Sequence, residues 1–231
     1  MCIFRILLLI LFALIVSACQ PERTDAEHVS SAKEHIQKGE LAASIIELKS
    51  ELQKNPENAE ARRLLGELYV QVGNGQAAEK ELRQAMELGV AREALMLTLT
   101  KALAMQNEYQ KLLDEIEAPS TLSSEQQAKI KSYRGDAWLS LGKPDKAKFE
   151  YESALQLYPT EPLAKLGLAK IALIEQDMNT ANKLVEEALK YGKEDAALWR
   201  FKAYLKRVQG DLKKAEELYT KALELNSEYE E

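Results

Sequence analysis

Cysteine and histidine are almost missing from this chain: of 231 residues, two are Cys and two are His. So few cysteines exclude the disulfide framework that holds many small secreted domains together. His28 and His35 lie seven apart, on one face of a helix, with no third ligand at metal-binding spacing. They read as part of a solvated face, and no metal is expected. Aromatic residues make up only 6% of the chain, with 10 Gly and 6 Pro, while Ala, Leu, Glu and Lys dominate. Such unbranched side chains lose little entropy in a helix, so an all-α chain is the first expectation. A basic excess is also lacking, since the net charge is −6. That argues against nonspecific nucleic-acid binding, which needs cations to displace counterions. HExxH, P-loop and GxSxG sequences do not occur, so neither catalysis nor a cofactor is expected. The many carboxylates sit near basic residues at helical spacing, as in Glu79 with Arg83 and Glu217 with Lys221. They read as surface pairs contributing about 0.2–0.5 kcal/mol each.

One apolar run is present, from Ile6 to Val16, behind the single basic residue Arg5. It is far short of the roughly 20 residues that span a bilayer, and it has the proportions of a secretory signal. Val16-Ser17-Ala18-Cys19 resembles the lipobox of bacterial lipoproteins. That resemblance implies cleavage before Cys19, lipidation of its sulfur, and a membrane-attached chain; the alternative is an uncleaved anchor with an idle cysteine. Residues 1–18 would then be the signal peptide and 19–24 a lipidated linker. Gln20 after the cysteine, rather than Asp, implies sorting to the outer membrane.

The rest of the chain is periodic. The segments starting at Gly39, Gly73, Gly142 and Gly210 overlay without a gap. Each has a small residue five positions later (Ser44, Ala78, Ala147, Ala215) and a bulky one four further on (Leu48, Leu82, Tyr151, Tyr219). Weaker copies begin at Asn107 and Gln176. Small residues let two helices approach closely, Gly admits the positive φ that ends a helix, and Pro56 or Pro159 stops the second helix. These features resemble the tetratricopeptide repeat, a 34-residue helix-turn-helix unit. The resemblance implies a right-handed α-solenoid (superhelix) over residues 25–231, of about six repeats starting near 25, 59, 93, 128, 162 and 196. Repeat three departs most, with Pro119 where an alanine recurs elsewhere. A shortened second helix, a loop near Pro119 to Ser123, and a new helix capped by Ser123 or Ser124 with Gln126 or Gln127 are expected there.

In tetratricopeptide proteins the first helix of each repeat lines a concave groove. Carrying those positions over places Arg63, Lys101, Lys129, Leu166, Lys170, Leu173, Arg200, Tyr204 and Arg207 on it. Of all 24 carried-over positions, seven are basic and three acidic. Such a groove in an acidic protein suits an anionic, amphipathic segment of a protein partner. The family's clamp for chaperone C-termini is not expected, because Glu67 stands where that clamp has Asn.

The order of features, from the lipobox through "SAKEHIQKGELAASIIELKSELQKNPENAEARRLLGELYVQVGNG" to "YRGDAWLSLGKPDKAKFEYESALQLYP", resembles the N-terminal part of the tetratricopeptide lipoproteins of exosortase (PEP-CTERM) systems, the PrsT family. That implies a non-catalytic scaffold on the periplasmic face of the outer membrane, serving exopolysaccharide or surface-protein assembly. A pilotin-like lipoprotein and an accessory module of an envelope enzyme are the alternatives. The sequence stops after "ALELNSEYEE" without a polar capping helix, so the expectation is either a truncated product or a last repeat whose open end docks another protein, self-association included.

Overall fold

The computed structural model describes residues 25–227, all of whose regular elements are α-helices. The expected signal peptide and lipidated linker, with Cys19, lie outside the described residues. No described helix is long and apolar enough to cross a membrane. The chain forms two compact units, Met1–Glu57 and Asn58–Glu231.

The described part of the first unit is one helix pair, α1 (Asp25–Gln37) and α2 (Leu41–Lys54). Ala32 and Ser44 meet at its centre, both fully buried, and the Ser44 hydroxyl donates to the Ala32 carbonyl at 3.2 Å. The small residues inferred from the repeat pattern therefore mark the closest helix approach. His28 contacts Glu47 at 2.7 Å, and His35 contacts Glu40, so the two imidazoles serve different carboxylates. Among the described residues no group of three or more His, Cys, Asp or Glu is placed to hold a metal ion.

The second unit contains five more pairs: α3 (Ala59–Gln71) with α4 (Gly75–Glu87), α5 (Arg92–Met105) with α6 (Tyr109–Glu115), α7 (Ser124–Ser140) with α8 (Pro144–Leu157), α9 (Pro162–Ile174) with α10 (Met178–Leu189), and α11 (Ala196–Val208) with α12 (Leu212–Ser227). Each second helix up to α10 also packs on the first helix of the following pair. The first helices α3, α5, α7 and α9 touch in sequence, lining one face. The turn between paired helices has a left-handed residue every time: Gly73, Gly142 and Gly210, but also Asn107 (φ 58°) and Gln176 (φ 64°). The two weaker repeat copies thus keep the turn geometry without glycine, against a cost of about 1–2 kcal/mol for a side chain in that region.

Repeat three has the shortened helix that its sequence implies, since α6 has seven residues. The next helix opens with a capping box of Ser123 and Gln126. The truncated end of α6 is finished by arginines. Arg134 donates to the carbonyls of Leu113 (3.2 Å) and Ile116, and Arg92 donates to that of Glu115 at 2.9 Å. The Arg134 guanidinium also meets the buried Glu150 at 2.8 Å.

Two surface pairs expected from spacing are corrected. Glu79 is buried, and besides Arg83 (2.7 Å) it accepts from Lys111 (2.6 Å) and Gln106 (2.9 Å), both contributed by the following repeat. Glu217 pairs with Lys214 rather than Lys221, whose ammonium instead meets Glu224 at 3.3 Å. Helical spacing alone does not choose between neighbours three and four residues away on either side.

Candidate partner-binding groove

The first helices of the second unit carry the predicted groove residues from Arg63 to Arg207, and their electrostatic states differ sharply. Arg63 is held by two carboxylates of its own helix, Glu60 at 2.8 Å and Glu67 at 2.6 Å. The hydrogen bond to Glu60 is the main reason its basicity is raised. One cation between two anions leaves that stretch of α3 acidic. Lys129 pairs with Glu125 at 2.6 Å, and Lys170 with Asp136 at 2.9 Å. The Arg207 guanidinium lies 5.1 Å from the centre of the Tyr204 ring, a cation–π contact.

Lys101 and Arg200 make no ion pair among the described residues. Lys101 is half-buried; burial and the like charge of Lys129 lower its basicity. Arg200 is exposed and borders two cavities. The smaller, about 320 Å³, is lined by Leu166, Lys170, Arg200, Phe201, Tyr204 and Tyr219 among others. Four of these, Leu166, Lys170, Arg200 and Tyr204, were predicted as groove residues, and the structure brings them to one cavity on helices α9 and α11. Among the described residues its charged lining is Lys170 and Arg200. The larger, about 710 Å³, adds Glu194 and Asp195 and, from α12, Ala222, Leu223 and Leu225. Leu173 is not in either cavity; it packs on the cluster of Ala172, Ala181, Val185 and Leu205. Leu166 contributes to the core as well, at 4% exposure beside Ala188, Leu189 and Leu198.

Two groups were not legible from groove positions. Tyr133 on α7 is pushed up to about 12 by burial and by the carboxylates of Asp195, Asp136 and Glu161. Glu161 caps α9, accepting from Leu163 N–H at 3.3 Å through one oxygen. It is 1% exposed, its other oxygen has no partner, and burial raises its pKa. A glutamate directly before a helix-opening proline was the available signal for a cap, but its burial depends on the neighbouring repeats.

Residues 23–161 match the family model described as "Tetratricopeptide repeat-like domain". Residues 139–205 and 196–229 match two further tetratricopeptide repeat models. No curated protein matches by sequence. Several solved structures share the fold. PilF of Pseudomonas aeruginosa aligns with 20% identity and a TM-score of 0.59, covering 88% of this chain and 97% of that one. PilW, described as a widely conserved type IV pilus biogenesis factor, aligns with 14% identity and a TM-score of 0.58, covering 86% and 91%. A tetratricopeptide repeat protein of Parabacteroides merdae aligns with 16% identity and a TM-score of 0.59, covering 86% and 78%.

Proposed function

Since the chain belongs to the tetratricopeptide repeat family, whose members stack helix pairs into extended binding surfaces, we propose that it is a protein-binding scaffold of the bacterial envelope. The protein is a non-catalytic interaction module. The observation that carries the reading is the cavity bounded by Leu166, Lys170, Arg200 and Tyr204, apolar at its floor and basic at its rim. It suits a partner segment that buries an apolar side chain and carries negative charge.

The finer parts of the reading rest on sequence. Ile6 to Val16 followed by Ser17-Ala18-Cys19 supports lipidation at Cys19 and attachment to the periplasmic face of the outer membrane. The resemblance to exosortase-system lipoproteins supports a place in exopolysaccharide or surface-protein assembly. A pilotin-like role is favoured by a different observation, the fold shared with PilF and PilW over nearly their whole lengths.

Crosslinking in the native envelope, followed by capture and mass spectrometry, separates these. Exopolysaccharide or sorting components among the partners support the first role, and pilus or secretin subunits the second. Recovery of the protein alone, or of copies of itself, counts against both. Cys19→Ala should release the protein from the membrane fraction. A variant still sedimenting with membranes sinks the lipid anchor.

A further inference from the structure

Repeats four and five together build a finished polar triad. Tyr151 on α8 donates its hydroxyl to Asp136 on α7 at 2.9 Å, and the same Asp136 oxygen accepts from Lys170 on α9 at 2.9 Å. One carboxylate thus bridges a phenol and a cation on three different helices. Repeat six presents the phenol at the same position without the carboxylate, and its nearby cation is Arg200 of its own first helix rather than a cation of a following repeat. Tyr219 occupies on α12 the place that Tyr151 occupies on α8, nine residues after the turn glycine. The residue at the position of Asp136 is Tyr204, which has no acid to offer. Tyr219 and Arg200 line the same cavity, and neither has a hydrogen-bond or ion-pair partner among the described residues. Among the described residues, the only other charged group lining that cavity is Lys170.

We propose that this cavity is a receptor for a side-chain carboxylate of a partner, an Asp or Glu bridging Arg200 and Tyr219, with a large apolar residue beside it seated on Leu166 and Phe201. The proposal rests on the scaffold reading of the groove and names the chemistry of its ligand. The protein's own Asp136 is the template for the missing acid. A volume of about 320 Å³ accommodates one aromatic or large aliphatic side chain next to that acid. Charge-assisted hydrogen bonds to a planar guanidinium supply the selectivity for a carboxylate over its amide.

The test uses the protein without its first 18 residues and a display library of random dodecapeptides whose C-termini are joined to the carrier, so that every carboxylate comes from a side chain. Peptides pairing Asp or Glu with a neighbouring large apolar residue should be enriched. Replacing that acid by its amide in the synthetic, terminally blocked peptide should weaken binding about tenfold. Arg200→Gln should abolish the preference for acid over amide, and Tyr219→Phe should reduce it, with helicity and melting temperature unchanged in both. A consensus without acid, an acid preference indifferent to Arg200→Gln, or no enrichment overturns the proposal. Enrichment confined to a second library with free C-termini overturns it too, by assigning the site to a terminal carboxylate. Native-envelope capture remains a separate readout: the cavity can bind such peptides even when the captured partners refute the assembly role.

Discussion

Gly167 of α9 faces the ring of Tyr151 so closely that a Cβ on it would lie 2.1 Å from the ring carbon Cζ. A Cβ on Gly135 of α7, from the tyrosine's own repeat, would lie 2.5 Å from Cε1 of the same ring. The tyrosine is fully buried between two helices that can close on it only where they lack side chains. Gly167→Ala gains about 1 kcal/mol of helix propensity and loses more to overpacking. A net loss of about 2 kcal/mol is expected in urea unfolding. An unchanged midpoint would show that α9 shifts freely.

Glu161 is expected to make the protein less stable as pH rises. Burial, with help from Glu125 and Asp195, raises its folded-state pKa above the unfolded value. The stability tied to its protonated form is present below the unfolded pKa of about 4.3 and is lost as pH rises through the folded one. Glu161→Gln keeps an oxygen for the Leu163 N–H and cannot ionise. The stability of the variant relative to the parent should therefore increase by about 1 kcal/mol from pH 4 to pH 7. A difference that does not change with pH would mean the carboxylate is solvated in the folded state.

Glu79 has the opposite sign. Burial alone would raise its pKa, but hydrogen bonds from Lys111, Arg83 and Gln106 outweigh it and hold the group at about 2. Its contribution is present above the unfolded pKa of about 4.3 and fades as pH falls toward the folded value. Glu79→Gln should cost about 1–3 kcal/mol at pH 7 and much less at pH 2.5. The comparison of acid and neutral melting curves checks this.

Arg134 joins repeat three to repeat four through the carbonyls of Leu113 and Ile116, while its guanidinium also holds the buried Glu150 of its own repeat. Arg134→Met leaves those carbonyls without their donor and Glu150 with Lys131 alone among the described residues, at 3.5 Å, at a cost of about 3 kcal/mol. The cost should shrink in the double variant with Glu150→Gln, because the stranded charge is then gone. Simple additivity would assign the loss to the carbonyls alone. Amide exchange should be fastest at the end of α6 in the single variant.

Most of the architecture was legible because tetratricopeptide units repeat the same contacts. Ala32, Ser44, Ala78, Ala147, Ala181 and Ala203 are small in the sequence and fully buried in the structure, as close helix crossings require. The capping box of Ser123 and Gln126 was readable for a local reason, since cap and partner are three residues apart. The turn at Gln176 was visible only through the period, because nothing about glutamine itself favours positive φ. In the groove, counting charges by position identified the cations but not their partners. Arg63 and Lys129 are neutralised within their own helices, whereas Lys170 finds Asp136 one repeat away and Arg200 finds no carboxylate among the described residues. Those differences depend on rotamers and on neighbouring helices. Tyr219 carries a bulky-residue position in the repeat, yet its exposure to a cavity depends on what α11 places beside it.

The loss of half a helix in repeat three also bears on phase. Counted from one predicted repeat start to the next, 93 to 128, this unit is 35 residues long, against 34 from 59 to 93 and 34 from 128 to 162. The residues missing from α6 are therefore spent as chain between Ile116 and Ser123, not deleted. An arginine-tied loop covers the same span as the helical turns it replaces, and α7 arrives in step with α5 and contacts it. A lattice with one faulty row keeps its spacing when the fault has the right width. Here the width is set by chain length, so shortening the segment between Ile116 and Ser123 would disturb the alignment of the groove-lining helices on both sides of it, although no groove residue had been touched.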